Sequence, residues 1–292
     1  KKKILVTGGA GFVGTNLIKL ILEKTNYKII SIDNYSSGSK KNHIKNSRIK
    51  YINSHTKDIS QTIENPKSIK AIFHFGEFAR IYQSFLKMDE CIESNSIGSN
   101  AVFNFCLKNK IKLIYSATSA SLGNRGKDKD LSPYAFTKAK NLELLENLKK
   151  NFKFKYEAIY FYNVYGPHQI SIGEMATVIG IFEHYYKLKK PLPVVRPGTQ
   201  TRRFTHIQDT VEICYLALKK NLCRHYSIAN KKSYSIIDVA KMFGRKIKYL
   251  PKRPGERYAS ALTSMNLSNK VYKNFGKINL KDYIDSFLAK NS

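Results

Sequence analysis

The stretch ILVTGGAGFVG, residues 4–14, decides the fold of this chain. It begins as an aliphatic run typical of a buried parallel strand, turns at glycines and enters a helix with an apolar stripe over residues 15–22. The glycines let the backbone approach a pyrophosphate, and the helix N-terminus offers unpaired N–H groups and a positive dipole end. A glycine-rich turn of another α/β protein is the alternative. We predict a dinucleotide phosphate site formed by Gly8, Gly11, Phe12, Val13 and Gly14.

A carboxylate follows the second predicted strand and bears on the choice of cofactor. The strand covers residues 27–32 and ends at Asp33, roughly 20 residues past the glycines. A carboxylate there accepts hydrogen bonds from a ribose diol and repels a 2′-phosphate, so Asp33 favours NAD over NADP. The polar loop that follows suits the adenosine end of the cofactor, through Asn34, Ser36, Ser37 and Gly38.

Further strands alternate with helices and predict a doubly wound parallel sheet, the Rossmann class of α/β fold. We expect strands over residues 48–52, 71–75 and 111–115, and a helix over 88–108. The third strand leads to Asp58 and Ile59, where a carboxylate could meet the adenine amino group. The fourth runs into a segment that must pass close to the cofactor, formed by Phe75, Gly76 and Glu77.

The fifth strand leads into a hydroxyl cluster, Ser116–Gly123, at the sheet edge where such folds bind ligands. Ser132 and Pro133 then begin a helix on which Tyr134 and Lys138 share a face. A Y-x-x-x-K spacing alone is mostly structural, but after this glycine turn and hydroxyl cluster it indicates catalysis.

These residue types suit the oxidation of an alcohol. An ammonium about 4 Å from a phenol, at an effective dielectric near 20, stabilises the phenolate by roughly 4 kcal/mol. Tyr134 could then take a hydroxyl proton while a hydride leaves the same carbon for NAD. Thr118 would hold the substrate oxygen.

Chain length, composition and cysteine count limit the class of protein. The 292 residues are 42% hydrophobic, enough for one large α/β domain with a smaller lobe. Four cysteines without C-x-x-C spacing indicate reduced thiols in a cytoplasmic protein, and no metal site is predicted. No window approaches the ~20 apolar residues of a membrane span.

The net charge of +30 suits a polyanionic partner or simply an AT-rich coding genome. The lysines are scattered along the sequence, and no nucleic-acid motif accompanies them. Nucleic acid is therefore not the expected partner.

Taken together, the motifs resemble the extended short-chain dehydrogenase/reductase family, in the branch that modifies nucleotide-activated sugars. TGGAGFVG, HFGE, SNSIGS, SATSASLG, PYAFTK, YFYNVYGPHQ, GTQTRRFTHIQD and PKRPGE occur in family order over nearly the whole chain. The resemblance implies an NAD-binding domain over residues 1–163, to which 203–222 return, and a lobe mainly over 164–292 that binds the nucleotide sugar. It adds Asn95, Ser116 and Tyr162 to the cofactor residues, besides Tyr134 and Lys138.

The resemblance also implies substrate contacts and an assembly. Asn163, Arg202 and Arg253 should meet the substrate's diphosphate, where arginine can bind in a bidentate way. Glu77 and Arg80 lie beside the expected sugar site and are charged where many 4-epimerases are not. A homodimer is expected through helices 88–108 and 133–150, the second bearing Leu142, Leu145 and Leu148.

Departures from the family narrow the expected reaction. Dehydratases of the family place an Asp-Glu pair after the catalytic Thr, whereas Ser119 and Ala120 follow Thr118 here. The Cys and His of 3,5-epimerases align with Ala120 and Thr177. The reaction that remains is NAD-dependent oxidation at one carbinol. The resemblance implies that this carbinol is C4, and that the enzyme is a nucleotide-sugar 4-epimerase or 4-dehydrogenase of bacterial surface-polysaccharide biosynthesis. A GDP-heptose 4-dehydrogenase is a specific alternative, and a catalytically idle NAD-binding scaffold or RNA-binding protein is the alternative of another class.

Overall fold

A computed structural model describes residues 2–121, 131–255, 271–273 and 276–291. The strands are β1 (Lys3–Thr7), β2 (Lys28–Asp33), β3 (Ile49–Asn53), β4 (Ile69–His74), β5 (Lys112–Thr118), β6 (Tyr156–Phe161), β7 (Val164–Tyr165), β8 (Leu192–Val195), β9 (Thr201–Arg203), β10 (Thr205–His206), β11 (His225–Ser227), β12 (Ser233–Ser235), β13 (Ile247–Leu250) and β14 (Val271–Lys273). The helices are α1 (Phe12–Lys24), α2 (Ile59–Thr62), α3 (Gln83–Leu86), α4 (Met88–Ile92), α5 (Ser99–Asn109), α6 (Pro133–Phe152), α7 (Val178–Lys187), α8 (Ile207–Lys219), α9 (Ile236–Met242) and α10 (Leu280–Asn291).

A parallel sheet in the order β14-β11-β6-β5-β4-β1-β2-β3 forms the centre of the molecule. Strand order reverses between β1 and β4, where Thr7 pairs with His74 at the carboxyl ends of the two strands. Such a switch point opens a crevice for ligands. The predicted doubly wound α/β fold is confirmed.

Helices cover both faces of the sheet, which explains why β1 is aliphatic without alternation. Leu5 joins a buried cluster with Phe103 of α5 and Leu145 of α6. Ile4 and Val6 point to the opposite face and pack with side chains of α1 and α8. Burial on both faces fixes β1, and the glycine turn that follows it, at the centre of the sheet.

A separate buried cluster lies in the second half of the chain. It joins side chains of α7, α9 and α10 with those of β8, including Phe182, Val239 and Leu192. Helix α8 packs on the sheet instead, and β11 and β14 extend the sheet although they lie in the range assigned to the second lobe. The division into residues 1–163 and 164–292 stays a prediction. Besides residues 203–222, the strands β11 and β14 of the second half also belong to the central sheet.

The helix expected over residues 88–108 is interrupted. A π-helical turn, Glu93–Gly98, separates α4 from α5. The turn directs the buried Asn95 carboxamide at the backbone of Phe78, where it accepts from the N–H at 2.6 Å and donates to the carbonyl at 3.0 Å. Widened turns of this kind are frequent at functional sites.

Candidate active site

A cleft with about 1040 Å³ of empty space, part of it open solvent, lies at the switch point between β1 and β4. Many of the residues selected from the sequence line it: Gly8, Gly11, Phe12, Val13, Gly14, Asp33, Asn34, Ser36, Ser37, Phe75, Gly76, Glu77, Arg80, Ser116, Tyr134 and Lys138. Glycine turn, carboxylate and Y-x-x-x-K pair therefore face one space.

The turn after β1 requires glycine at two positions. Gly8 has φ +69°, and a Cβ there would lie 2.8 Å from the Gly76 nitrogen. A Cβ at Gly14 would lie 2.2 Å from the Gly8 carbonyl oxygen. Helix α1 begins directly after Gly11, with no side chain capping its first amides. This bare, tightly folded helix N-terminus fits the pyrophosphate of a dinucleotide.

Asp33 lines the cleft, and two hydrogen bonds fix its carboxylate. Its Oδ2 accepts from the Ala10 N–H at 3.0 Å and its Oδ1 from the Tyr35 N–H at 2.8 Å. Burial raises the pKa of Asp33, and these two backbone hydrogen bonds act in the opposite direction. Gly38 packs closely against this carboxylate, since a Cβ at position 38 would lie 2.8 Å from the two Asp33 carboxylate oxygens. The fixed carboxylate fits a ribose diol and would repel a 2′-phosphate.

Replacing Asp33 should change cofactor preference. Wild-type protein should bind NAD(H) far more tightly than NADP(H), and Asp33→Ala should weaken NAD about 10-fold or more because hydrogen bonds to a charged group are lost. Asp33→Asn keeps the side-chain volume, so it isolates the contribution of charge to the rejection of NADP. Direct titration of both cofactors measures the gap, and equal wild-type affinities would contradict the assignment.

Helix α6 presents the Y-x-x-x-K pair to the cleft. The Ser132 side chain caps the helix by accepting from the Ala135 N–H at 3.1 Å, and Pro133 follows in the first turn. Tyr134 and Lys138 then lie one turn apart, both lining the cleft. They are 9% and 3% exposed, so each is held by packing before any ligand binds.

Lys138 forms a buried ion pair with Glu77. Its Nζ donates to the Glu77 carboxylate and to the Ser116 carbonyl, and the two charged side chains are 4% and 1% exposed. Glu77 also accepts from Ser99 Oγ at 2.7 Å, Tyr115 OH at 3.0 Å and Asn141 Nδ2 at 3.2 Å. Burial pushes the pKa of Glu77 up, but the charge of Lys138 and the hydrogen bonds donated to the carboxylate outweigh it and hold the pKa low.

The sequence had suggested that Glu77 contacts the sugar. Glu77 lines the cleft, and its contact with the sugar stays a prediction. Its carboxylate accepts hydrogen bonds from Lys138 and from other donors on three neighbouring elements, so it holds Lys138 in place. The signal that could have indicated this was an acidic residue at the end of a buried strand, but its cation lies 61 positions away.

A second buried network braces the glycine turn. His74 Nδ1 meets Thr7 Oγ1 at 2.8 Å and its Nε2 meets Ser99 Oγ at 2.9 Å. Burial lowers the pKa of His74 to about 4, so the ring is neutral near pH 7. Thr7 Oγ1 in turn accepts from the Gly76 N–H at 3.0 Å. No local sequence pattern indicated this network, which fixes the Phe75–Gly76 segment against Gly8.

Nine of the predicted residues do not line the cleft: Gly38, Asp58, Ile59, Asn95, Thr118, Tyr162, Asn163, Arg202 and Arg253. Ile59 is fully buried in the core, where an apolar side chain gains most. Asn95 is committed to the Phe78 backbone. Tyr162 packs in the core and its hydroxyl accepts from Ser227, whereas Phe161, one position earlier, lines the cleft. Adjacent residues of a strand point to opposite faces.

The polar residues among those nine make other contacts. Thr118 Oγ1 accepts from the Ala120 N–H at 3.2 Å. Asn163 Nδ2 donates to the Arg203 carbonyl at 3.2 Å, and Arg202 Nη1 donates to the Thr201 carbonyl at 2.8 Å. The Arg253 guanidinium lies 5.2 Å from the centre of the Tyr82 ring. Their roles toward a substrate stay predictions, and residues 122–123 of the hydroxyl cluster lie outside the described residues.

Residues that the sequence did not single out complete the cleft. The segment just before Asp58 lines the cleft with Ser54, His55 and Thr56. Ile170 and Met175, from the chain beyond β7, line it as well. Asp58 itself does not line the cleft, so its contact with adenine stays a prediction.

The sequence profile of the NAD dependent epimerase/dehydratase family matches residues 4–229. The chain belongs to this family. It is 30% identical to an uncharacterised protein of Methanocaldococcus jannaschii over 286 residues, covering 87% of this chain and 86% of that protein. It is 27% identical to an ADP-L-glycero-D-manno-heptose-6-epimerase of Fusobacterium nucleatum, covering 81% and 77%.

Solved structures agree on the fold. The UDP-glucose 4-epimerase of Thermotoga maritima, solved with UDP-glucose, superposes with a TM-score of 0.85 at 23% identity, over 98% of this chain and 97% of that one. The extended short-chain dehydrogenase/reductase assignment and NAD as cofactor are confirmed. The protein is an NAD-dependent enzyme of the nucleotide-sugar epimerase branch. Among the residues that the structure describes, no helix is both long and apolar enough to cross a membrane.

Proposed function

We propose that this enzyme oxidises C4 of a nucleotide-activated sugar. One observation carries the proposal: Tyr134 and Lys138 share a cleft with the glycine turn and Asp33, so a reacting carbinol can lie beside both a base and the cofactor. The family supplies the coarser statement, an NAD-dependent nucleotide-sugar enzyme. The position of oxidation and the substrate go beyond it.

In this proposal the residues of the cleft have separate roles. Tyr134 accepts the proton of the sugar hydroxyl, and bound NAD supplies the hydride acceptor. Lys138 holds a positive charge at a fixed place because Glu77 and the Ser116 carbonyl anchor its Nζ. The Gly8–Gly14 turn and Asp33 would hold the two ends of the adenosine diphosphate portion.

The residues around Thr118 favour plain oxidation over elimination or 3,5-epimerisation. Ser119 and Ala120 are buried and carry no acid or base. Thr177 caps α7, accepting from the Gly180 N–H at 3.1 Å, so it has a structural role where 3,5-epimerases need a histidine. The ketone is then either reduced again on its other face, by a 4-epimerase, or released, by a 4-dehydrogenase.

The sugar and pathway belong to the same proposal. Relatives named for a heptose 6-epimerase and for UDP-glucose 4-epimerase differ in both base and sugar. A GDP-heptose 4-dehydrogenase remains a specific alternative, and we propose a cytoplasmic role in the synthesis of bacterial surface polysaccharide.

The test is incubation of purified protein with UDP-, GDP- and dTDP-sugars. Loss of the C4 isotope label together with NADH absorbance would show oxidation, and a C4-inverted product would distinguish epimerase from dehydrogenase. A protein that binds NAD but exchanges no C4 hydrogen with any of these sugars would contradict the proposal and favour an idle scaffold. Salt-sensitive RNA binding would then become the next test.

We also propose a homodimer, with contact residues other than those expected. Leu145 is buried in the protein's own core, and Leu142 and Leu148 are partly buried against it, so these leucines offer little surface to a partner. Large apolar side chains are exposed on the same helices and on the turn between α4 and α5: Met88, Ile92, Ile97, Phe136 and Leu144.

Leu144→Lys should therefore weaken association, because a dimer interface would bury an unpaired charge. Leu188→Lys makes the same change at an exposed leucine after α7 and should leave the assembly unchanged. Sedimentation at micromolar concentration measures both, and a wild-type monomer there would contradict the dimer.

A further inference from the structure

Arg80 is a cation fixed in the wall of the cleft that contains Tyr134. Its Nε and Nη2 both donate to the Met175 carbonyl, the first at 3.0 Å, and its Nη1 donates to the Ala79 carbonyl at 2.7 Å. These bonds use three of the five guanidinium N–H groups and leave one on each terminal nitrogen. Neutral carbonyls position the group without neutralising it.

No carboxylate within residues 2–121, 131–255, 271–273 and 276–291 forms an ion pair with Arg80. Burial lowers the pKa of Arg80, and Tyr134 is the group whose charge opposes that shift. Glu77 lines the same cleft, but Lys138 already compensates its charge. The wall beside Tyr134 thus carries an unbalanced positive charge in a partly desolvated position, which is unfavourable unless a ligand supplies an anion.

The neighbours of Arg80 indicate which part of the substrate supplies that anion. It contacts Met175 and lies near Tyr134, where the sugar must react, whereas the glycine turn and Asp33 mark the cofactor's phosphates and ribose. Two N–H groups on separate terminal nitrogens match the two oxygens of a carboxylate.

We propose that Arg80 binds a carboxylate carried by the sugar, so that the substrate is a nucleotide-activated sugar acid rather than a neutral sugar. This inference rests on the proposed function for its substrate class. The Arg80 guanidinium would select the acidic sugar, and the Met175 and Ala79 carbonyls hold that guanidinium in place.

The test compares matched acidic and neutral ligands on the NAD-loaded protein by calorimetry. The pairs are UDP-glucuronate with UDP-glucose and GDP-mannuronate with GDP-mannose. We expect the acid of at least one pair to bind about 10-fold or more tightly than its neutral partner. Arg80→Gln should abolish that difference and change the affinity of the neutral sugar less than about threefold.

A charge control separates this site from the general field of a +30 protein. Arg196→Gln removes the same charge from a guanidinium that lies 5.4 Å from the Tyr249 ring, outside the cleft lining, and should keep the preference. The proposal is overturned if neither acid is preferred, including if no ligand binds, or if Arg196→Gln abolishes the preference as completely as Arg80→Gln.

NADH formation, followed in parallel, keeps the two proposals distinguishable. An Arg80-dependent preference without NADH would overturn C4 oxidation and leave the carboxylate site in place. NADH formation from neutral sugars without a preference would do the reverse. If Arg80→Gln slows neutral and acidic sugars alike and moves the acid limb of the pH–rate profile upward, Arg80 serves Tyr134 and the carboxylate assignment is wrong.

Discussion

Tyr134→Phe should lower the single-turnover rate of NADH formation by about 10²–10⁴-fold, the usual effect of losing a general base. The ring packs with Phe78, Cys91 and Ala135, and Phe preserves that packing. NAD affinity should stay close to wild type, because the glycine turn and Asp33 lie on other elements. The rate and the affinity therefore report separately on chemistry and on binding.

Two further variants sharpen this test. Tyr185→Phe makes the same chemical change on α7, outside the cleft lining, and should leave the rate unchanged. Thr118→Val should lower turnover less than Tyr134→Phe, because it removes an orienting contact rather than the base. A wild-type rate in Tyr134→Phe would show that another group takes the proton, and Glu77 would be examined first.

Local patterns predicted the parts of the site that depend on few neighbours. The strand–glycine–helix unit, the carboxylate at the end of β2 and the capped start of α6 are each encoded within about a dozen residues, and each was found as expected. Gly8 and Gly14 are required by backbone contacts within that same unit and with the neighbouring strand end.

Properties that depend on distant contacts were not predictable in this way. Glu77 was expected to touch the sugar because it is charged where many 4-epimerases are not, and the sequence did not indicate that Lys138 of α6 balances this charge. Tyr162 was expected at the cofactor, but the strand's alternation gives that place to Phe161. A one-residue shift reverses every side chain of a strand, and a motif alone does not fix that register.

The buried ion pair leads to the second large effect, on stability. Lys138→Met should destabilise the fold by about 3–5 kcal/mol, because it leaves Glu77 as an unpaired buried carboxylate. Urea unfolding measures the change. A loss below about 1 kcal/mol, typical of exposed pairs, would contradict the burial of the pair.

The pH dependence should reverse at the same time. In the wild type the pKa of Glu77 is held below its unfolded value, so its contribution is present above the unfolded pKa and is lost as pH falls through the folded pKa. Without the lysine, burial dominates and raises that pKa, so the contribution of Glu77 falls as pH rises. The stability gap between the two proteins should widen from about pH 4 to pH 7.

Removing both charges separates the two roles of the pair. Glu77→Gln alone should destabilise the protein by leaving Lys138 unpaired, but Glu77→Gln with Lys138→Met should regain most of the lost stability, with a coupling on the order of 3 kcal/mol. Gln keeps an acceptor for the Ser99, Tyr115 and Asn141 donors that surround position 77. Lys138→Met should also form NADH slowly, because no ammonium remains on the face of α6 that carries Tyr134. The double variant should be equally slow for the same reason. Recovered activity would show that Lys138 is needed only for folding, whereas unrecovered stability would show that contacts other than the charge pair hold this wall of the cleft.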